Sequence, residues 1–174
     1  MATSGAVALS ERSRNGGVDE IPLPFGPGRL WLAGKHFVCP DPEAALERTG
    51  ASVVVCLNEL SEFEDRYPEY APWLIANQPA RALWRPVHDL HAPPPEAAAH
   101  LLAELHARIE AGDGLLIHCG AGIGRAGTMA AALLVSGGVP LDEALHVVRA
   151  SRPMAGPEVG AQLDLLVHLE DQRS

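Results

Sequence analysis

Apolar residues along the chain form short continuous runs, separated by segments in which they recur every three or four positions. Residues 52–57 and 115–117 are almost entirely Val, Leu, Ile and Cys, a pattern typical of strands covered on both faces. Shorter, partly apolar runs at 29–33 and 83–87 predict two more strands. The runs therefore predict a sheet whose strands are mostly buried.

Helical periodicity fills the segments between these strands. Residues 94–111 place five apolar side chains on one helical face, with prolines at the start and Gly112 just past the end. Further helices are predicted over 42–48, parts of 62–77, 126–135, 141–150 and 158–171. Strands that alternate with helices indicate an α/β domain with a central, mostly parallel sheet of about five strands and helices on both faces.

The composition is that of one folded domain. The chain has 174 residues, of which 47% are hydrophobic and 20% charged, and this supplies enough apolar surface for a single core. Residues 1–20 are rich in Ser, Gly, Arg and Asn without periodicity. We expect them to form a flexible leader, which leaves 21–174 as the domain. We expect this domain to be monomeric.

Charge and cysteine content narrow the possible partners. The net charge of −9 argues against nonspecific binding to nucleic acid or to an anionic membrane, because both need a basic surface. No apolar run reaches the roughly 20 residues that a membrane helix requires. Cys39, Cys56 and Cys119 are too few and too scattered for a disulfide framework, and none is in a zinc-binding spacing. We therefore expect a cytoplasmic protein without metal or cofactor, in which one thiol is a candidate nucleophile.

The segment His118–Thr128 carries the candidate chemistry, because it leads from a predicted buried strand into a helix, where open α/β sheets bind ligands. Three glycines at alternate positions let successive backbone N–H groups turn inward and form an anion-binding nest at the helix N-terminus. Cys119 opens the loop, where the same N–H groups would stabilise its thiolate. Arg125 closes the loop with a guanidinium suited to two phosphate oxygens. The residues expected to bind a phosphate group are Gly120, Ala121, Gly122, Ile123, Gly124 and Arg125.

This loop resembles the His-Cys-x2-Gly-x2-Arg signature of the cysteine-dependent protein tyrosine phosphatases, specifically the dual-specificity branch. Members also carry a general-acid Asp about thirty residues before the cysteine, and Asp89 lies at that distance within Pro86–Pro93. The segments Cys56–Ser61 and Arg152–Gln162 are similar to the kinase-associated phosphatase (cyclin-dependent kinase inhibitor 3) subgroup. The resemblance covers about residues 27–170 and implies the dual-specificity phosphatase fold.

The resemblance implies a division of roles within the site. Cys119 would attack phosphorus and form a phosphocysteine, while Arg125 and the loop N–H groups hold the phosphate oxygens. Asp89 would protonate the leaving oxygen and then help to activate water. A loop or helix-capping Asp before the helix at 94–111 is the alternative interpretation of Asp89.

Three further residues carry weaker expectations. The resemblance implies that His118 supports the loop and the thiolate. It implies that Gln162 helps to place the water, although the solvent face of a terminal helix would suit this residue equally. Cys56 matches the partner cysteine that forms a reversible disulfide with the nucleophile in the kinase-associated subgroup, although a buried free cysteine ordinarily acts as a small hydrophobic side chain. An acidic run, typical of a solvated face, is also a candidate to support Arg125 and consists of Glu59, Glu62, Glu64 and Asp65.

The expected activity is hydrolysis of phosphomonoesters on phosphoproteins or small aryl phosphates, with phosphotyrosine and phosphoserine or phosphothreonine both open. The neutral variable positions of the loop favour a phosphoprotein over an inositide. One position departs from the family, because Ala126 stands where a Ser or Thr usually follows the arginine. A slow or inactive phosphoprotein-binding module is therefore an alternative. A rhodanese-like sulfurtransferase or arsenate reductase is another, against which Asp89 and the late position of Cys119 argue.

Overall fold

A five-stranded sheet forms the centre of the molecule. The computed structural model describes residues 12–173, so most of the predicted leader, at 1–11, lies outside the described residues. The sheet order is β1-β2-β5-β3-β4, with β1 antiparallel to β2 and all other neighbours parallel. The strands are β1 Val18–Ile21, β2 Arg29–Gly34, β3 Val53–Cys56, β4 Ala82–Trp84 and β5 Gly114–Cys119.

Helices connect the strands and end the chain. They are α1 Lys35–Val38, α2 Pro42–Thr49, α3 Tyr70–Asn77, α4 Pro95–Glu110, α5 Gly124–Ser136, α6 Leu141–Ser151 and α7 Gly160–Arg173, with a short 3-10 helix at Leu60–Glu62. Asp41 caps α2 as its side chain accepts a hydrogen bond from the N–H of Ala44 at 3.0 Å. Within residues 12–173, no helix has both the length and the apolar composition needed to cross a membrane.

Two cores lie on opposite faces of the sheet. Apolar residues of α4, α5, α6 and α7 pack with Val55 and Ile117 on one face. Those of α1, α2 and α3 pack with Val54 and Leu116 on the other. Successive residues of a strand point to opposite faces, and both faces are buried, which explains the continuous apolar runs of β3 and β5. The predicted α/β fold with a mostly parallel, two-sided sheet is confirmed.

Some boundaries differ from the prediction. Residues 18–20, assigned to the leader, belong to β1, a half-exposed edge strand of four residues whose alternation is too short to stand out. The segment 62–77 is an α-helix only over α3, and Pro72 does not break it because the first turn needs no N–H donor there. The four-residue helix α1 has no periodicity and is not predicted.

Candidate active site

The central strand β5 ends at Cys119, and α5 begins five residues later, so the loop between them lies at the carboxyl edge of the parallel strands. Cys119 is 3% exposed. Its Sγ accepts a hydrogen bond from the backbone N–H of Ala126 at 3.5 Å, in the first turn of α5. The N-terminus of α5 therefore supplies both a hydrogen-bond donor and a partial positive charge to this sulfur.

Donors from outside the loop hold its backbone by hydrogen bonds to its carbonyl groups. The N–H of Lys35 donates to the carbonyl of Gly120 at 3.0 Å. The Arg152 guanidinium donates to the carbonyls of Ala121 and Gly122, each at 2.9 Å. In a planar trans peptide the N–H points opposite to the C=O. Three successive N–H groups therefore turn away from these anchors and form an anion nest.

Glycine is required at Gly122, whereas Gly124 lies close to a flexible side chain. Gly122 has a φ of +73°, and a Cβ there would lie 2.5 Å from the backbone carbonyl of Ala33. At Gly124 a Cβ would collide with the carboxylate of Glu158. Glu158 thus lies directly against the N-terminus of α5, where the helix dipole favours an anion.

Arg125 is held by an acidic partner. Its Nη1 and Nη2 donate to the two carboxylate oxygens of Glu62 at 2.8 and 2.7 Å, and Nη1 also donates to the carbonyl of Val87. These bonds occupy the Nη1–Nη2 edge, so the Nε–Nη2 edge is the one that can receive two phosphate oxygens. Partial burial raises the pKa of Glu62, but hydrogen bonds from Arg125, the Glu59 backbone and Asn58 outweigh it and lower the pKa to about 2.

Asp89 lies on an exposed loop beside a cavity that Cys119 and Arg125 also line. Its side chain is 69% exposed, and Oδ1 lies 3.5 Å from Nη2 of Arg125. The loop is shaped locally by Leu90, whose φ is +63° and whose N–H donates to Asp89 Oδ1 at 3.0 Å. The preceding residue, His88, is also held in place, because its Nδ1 lies 2.6 Å from Oε1 of Glu59. The cavity is about 290 Å³ and is lined by Asp89, Cys119 and Arg125 together.

His118 lies beneath the loop rather than in the cavity. It is fully buried, and Nε2 lies 2.5 Å from the hydroxyl of Tyr70. Burial lowers the pKa of His118 to about 4, so the imidazole is neutral at physiological pH. A neutral ring with one nitrogen occupied by Tyr70 is suited to supporting the loop, not to acting as a base at the reacting phosphorus.

Gln162 does not face solvent. It is 1% exposed, its Oε1 accepts from the N–H of Glu158 at 2.8 Å, and its Nε2 donates to the carbonyl of His91 at 3.2 Å. Gln162 therefore joins the segment before α7 to the loop that carries Asp89. The residue of this segment that lines the cavity is Glu158, which no motif in the sequence marks as part of the site.

Cys56 lies on the other face of the sheet from Cys119. Cys119 packs in the core with Ile117, whereas Cys56 packs in the core with Leu116. In register, Cys56 is paired with His118. Burial raises the pKa of Cys56 to about 12, against smaller lowering effects from hydrogen bonds to Asn58 and Tyr70. The structure therefore does not bring Cys56 into the cavity with Cys119.

Comparison with known proteins identifies the family. A family model described as a Swiss Army Knife protein, DSP-PTPase phosphatase domain, matches residues 29–160. No curated protein sequence matches the chain significantly. Among solved structures, the active form of Tk-PTP is 28% identical over 85% of this chain and 94% of that chain, with a TM-score of 0.65.

Two other solved structures are similar in fold alone. Kinase associated phosphatase with its catalytic-site cysteine replaced by serine is 19% identical over 90% of this chain and 94% of that chain, with a TM-score of 0.74. PTPMT1 in complex with PI(5)P is 15% identical over 83% of this chain and 91% of that chain, with a TM-score of 0.61. The family model spans well over half of the chain. The protein belongs to the dual-specificity phosphatases of the cysteine-dependent protein tyrosine phosphatase superfamily.

Proposed function

We propose that the protein hydrolyses phosphomonoesters on proteins through a phosphocysteine formed on Cys119, with Arg125 binding the phosphate and Asp89 acting as general acid. The observation that carries the proposal is that Asp89, from a separate segment of the chain, lines one cavity of about 290 Å³ together with Cys119 and Arg125 of the loop. The phosphatase family also favours this activity over the sulfurtransferase and arsenate reductase alternatives.

In the first step the thiolate of Cys119 attacks phosphorus in line with the leaving oxygen. The S–P bond forms as the P–O bond breaks, and the proton on Asp89 passes to the leaving oxygen. The charge that develops on the other phosphate oxygens is stabilised by the loop N–H groups and by the open edge of Arg125. These donors are fixed before the reaction, so little reorganisation is needed at the transition state.

In the second step water attacks the phosphocysteine. The carboxylate of Asp89 accepts a proton from this water, the S–P bond breaks, and inorganic phosphate leaves with the thiolate of Cys119 restored. Gln162 acts in this step by holding the loop that carries Asp89, because its amide donates to the carbonyl of His91.

The charges around the cavity favour a phosphoprotein over a polyphosphorylated lipid headgroup. The lining includes the carboxylates of Glu62, Asp89 and Glu158, against two cations, Lys35 and Arg125. Further phosphates on the same substrate would meet these carboxylates and be repelled. No aromatic side chain among the described residues lines the cavity, so ring stacking does not favour phosphotyrosine over phosphoserine and phosphothreonine.

The role of Asp89 is tested by changing the leaving group. Asp89→Asn should lower kcat roughly 10²- to 10⁴-fold on a phosphopeptide, whose leaving alkoxide or phenoxide needs a proton. The loss should be much smaller on p-nitrophenyl phosphate, whose leaving group departs unprotonated. Glu96→Gln, an exposed carboxylate outside the cavity, is the matched control. Equal losses on both substrates would contradict a general-acid role.

A phosphoprotein-binding module with little turnover is the second candidate. The observation that favours it is Ala126, which is fully buried beside Cys119 and offers the sulfur a backbone N–H but no hydroxyl. A stoichiometric burst of product without steady-state release would establish this candidate. Steady turnover of a phosphopeptide at a rate matching the burst would exclude it.

We propose a reducing compartment such as the cytoplasm for this protein. All three cysteines are free thiols, and the proposed mechanism needs Cys119 reduced. Fractionation of cells that express the tagged protein, followed by thiol labelling of each fraction, tests this location directly.

A further inference from the structure

Arg152, just after α6, joins the phosphate loop to the N-terminal segment. It is 1% exposed, and its guanidinium donates to the loop carbonyls on one side. On the other side Nη1 lies 2.8 Å from Oδ2 of Asp19, and Nη2 donates to the carbonyl of Gly16 at 3.1 Å. A buried cation is thus neutralised by a residue of β1, more than a hundred positions away in the chain.

Asp19 is placed for this contact by the local structure around it. A left-handed turn at Gly16 and Gly17, with φ of +80° and +67°, directs the chain into β1. Asp19 is held in turn by Arg12, whose Nη2 lies 2.8 Å from Oδ1. The next residue of the strand, Glu20, points to the opposite face and pairs with Arg29 in an exposed ion pair. Only one of these two neighbouring carboxylates therefore reaches Arg152.

The orientation of the guanidinium decides the orientation of the loop. A guanidinium is planar, so holding Nη1 on the Asp19 carboxylate and Nη2 on the carbonyl of Gly16 restricts the direction of its other N–H groups. Those groups hold the carbonyls of Ala121 and Gly122, and the N–H groups of the next residues consequently face the anion nest. Without Asp19, a nearly fully buried cation would lack its ionic partner and would move toward water.

We propose that Asp19 is a positioning residue for phosphate binding, acting through Arg152 on the N–H groups of the loop. The inference rests on the proposed function of that loop. The N-terminal segment lies outside the matched family region of 29–160, yet through Asp19 it helps to hold the phosphate loop.

The test compares Asp19→Ala with the matched control Glu20→Ala, which removes the neighbouring carboxylate of the same strand. Inorganic phosphate is the probe, and its dissociation constant is measured from the protection of Cys119 against iodoacetate. Loss of a charged hydrogen bond predicts about tenfold weaker phosphate binding in Asp19→Ala. Asp19→Asn, which keeps one acceptor oxygen, should weaken binding by about threefold, and Glu20→Ala should leave it unchanged. All assays run well below each variant's measured Tm.

The outcomes separate a positioning role from a merely structural one. If Asp19→Ala lowers Tm but binds phosphate like Glu20→Ala, and if its alkylation rate has the same pH profile, the inference is wrong. If Asp19→Ala does not fold, the comparison of Asp19→Asn with Glu20→Gln decides, and equal phosphate affinities would overturn it. If the wild-type protein itself shows no protection by phosphate, the proposed phosphate loop fails, and the inference fails with it.

Discussion

Cys56 and Cys119 end two neighbouring parallel strands, β3 and β5, at the same edge of the sheet. Both thiols are buried, with exposures of 0% and 3%. Cys56 Sγ makes a weak hydrogen bond to the carbonyl of Asn58 at 3.8 Å, and burial raises the pKa of Cys56 to about 12. Cys119 instead receives an N–H from the first turn of α5 at 3.5 Å. The two thiols are therefore equally buried and differ in the backbone donor that follows their strand.

The chain after β3 supplies a carboxylate that holds Arg125. Glu62, six residues beyond Cys56, binds both terminal nitrogens of Arg125. His118, which is paired in register with Cys56 and points to the same face, contacts Tyr70 beneath the loop. The segment after β3 and the Cys56 face thus supply Glu62 and His118, while Arg152, just after α6, holds the loop carbonyls.

The largest predicted contrast is between the two thiols themselves. Cys119→Ser should lower kcat by at least about 10⁴-fold, because the hydroxyl has no base to activate it. Cys56→Ser should leave kcat within about threefold, since Cys56 lies on the far face of the sheet. Steady-state hydrolysis of p-nitrophenyl phosphate measures both. A loss in Cys56→Ser comparable to that in Cys119→Ser would break the comparison.

His118, on the Cys56 face of the sheet, should make the free energy of unfolding depend on pH. Burial lowers the pKa of His118 in the folded chain to about 4. Between about pH 6.5 and pH 4, the unfolded chain therefore binds a proton at this residue and the folded chain does not. The free energy of unfolding should therefore fall as pH drops from about 6.5 to 4, by on the order of 3 kcal/mol from this residue. His118→Gln should remove that part of the decline in urea unfolding.

Exposed His100 supplies the matched control for this pH experiment. His100→Gln should keep the wild-type dependence of unfolding free energy on pH. An unchanged pH dependence in His118→Gln as well would mean that the buried ring is not the group that resists protonation.

Removing the charged contact between Glu62 and Arg125 should lower activity by an intermediate amount. Glu62→Gln keeps the shape of the side chain but removes the charge that orients Arg125, and kcat/KM should fall about tenfold. Glu64→Gln, in the same acidic run, is the control and should leave kcat/KM unchanged. A null result for Glu62→Gln would show that Arg125 is held adequately by the carbonyl of Val87 alone.

The smallest predicted change lies in the first turn of α5. Ala126→Ser places a hydroxyl beside the sulfur that already receives the N–H of this residue, which stabilises the thiolate leaving the phosphocysteine. Steady-state turnover of a small aryl phosphate should rise about threefold, with an unchanged burst, because only the second step is aided. An unchanged steady-state rate would locate the slow step elsewhere.

The fold and the loop could be predicted because their signals are local. The apolar runs of β3 and β5 are continuous, and the five residues between Cys119 and Arg125 carry the glycines that an anion nest needs. Asp89 follows from its spacing to the cysteine in a family that the loop already indicates. Each of these signals lies within one short segment or at a fixed separation from it.

The exact partners in the supporting contacts could not be predicted, because tertiary packing alone selects them. Arg152 lies about thirty residues beyond the loop that it anchors, and Asp19 lies in a four-residue edge strand. Gln162 is a polar residue in a terminal helix, which is typical of a solvated position, yet backbone groups on both sides satisfy its amide. Glu62 is one of four similar carboxylates, and only the fold selects it for Arg125.

The most direct test of the account is to trap the reaction on the sulfur. Wild-type protein mixed with a phosphotyrosine peptide, quenched in acid within the burst and digested, should carry one phosphoryl group on the peptide that contains Cys119. The same digest of Cys119→Ser should carry none, and the peptide that contains Cys56 should be unmodified in both. Product release in the burst with no phosphoryl group on Cys119, or a phosphoryl group on another residue, would contradict it.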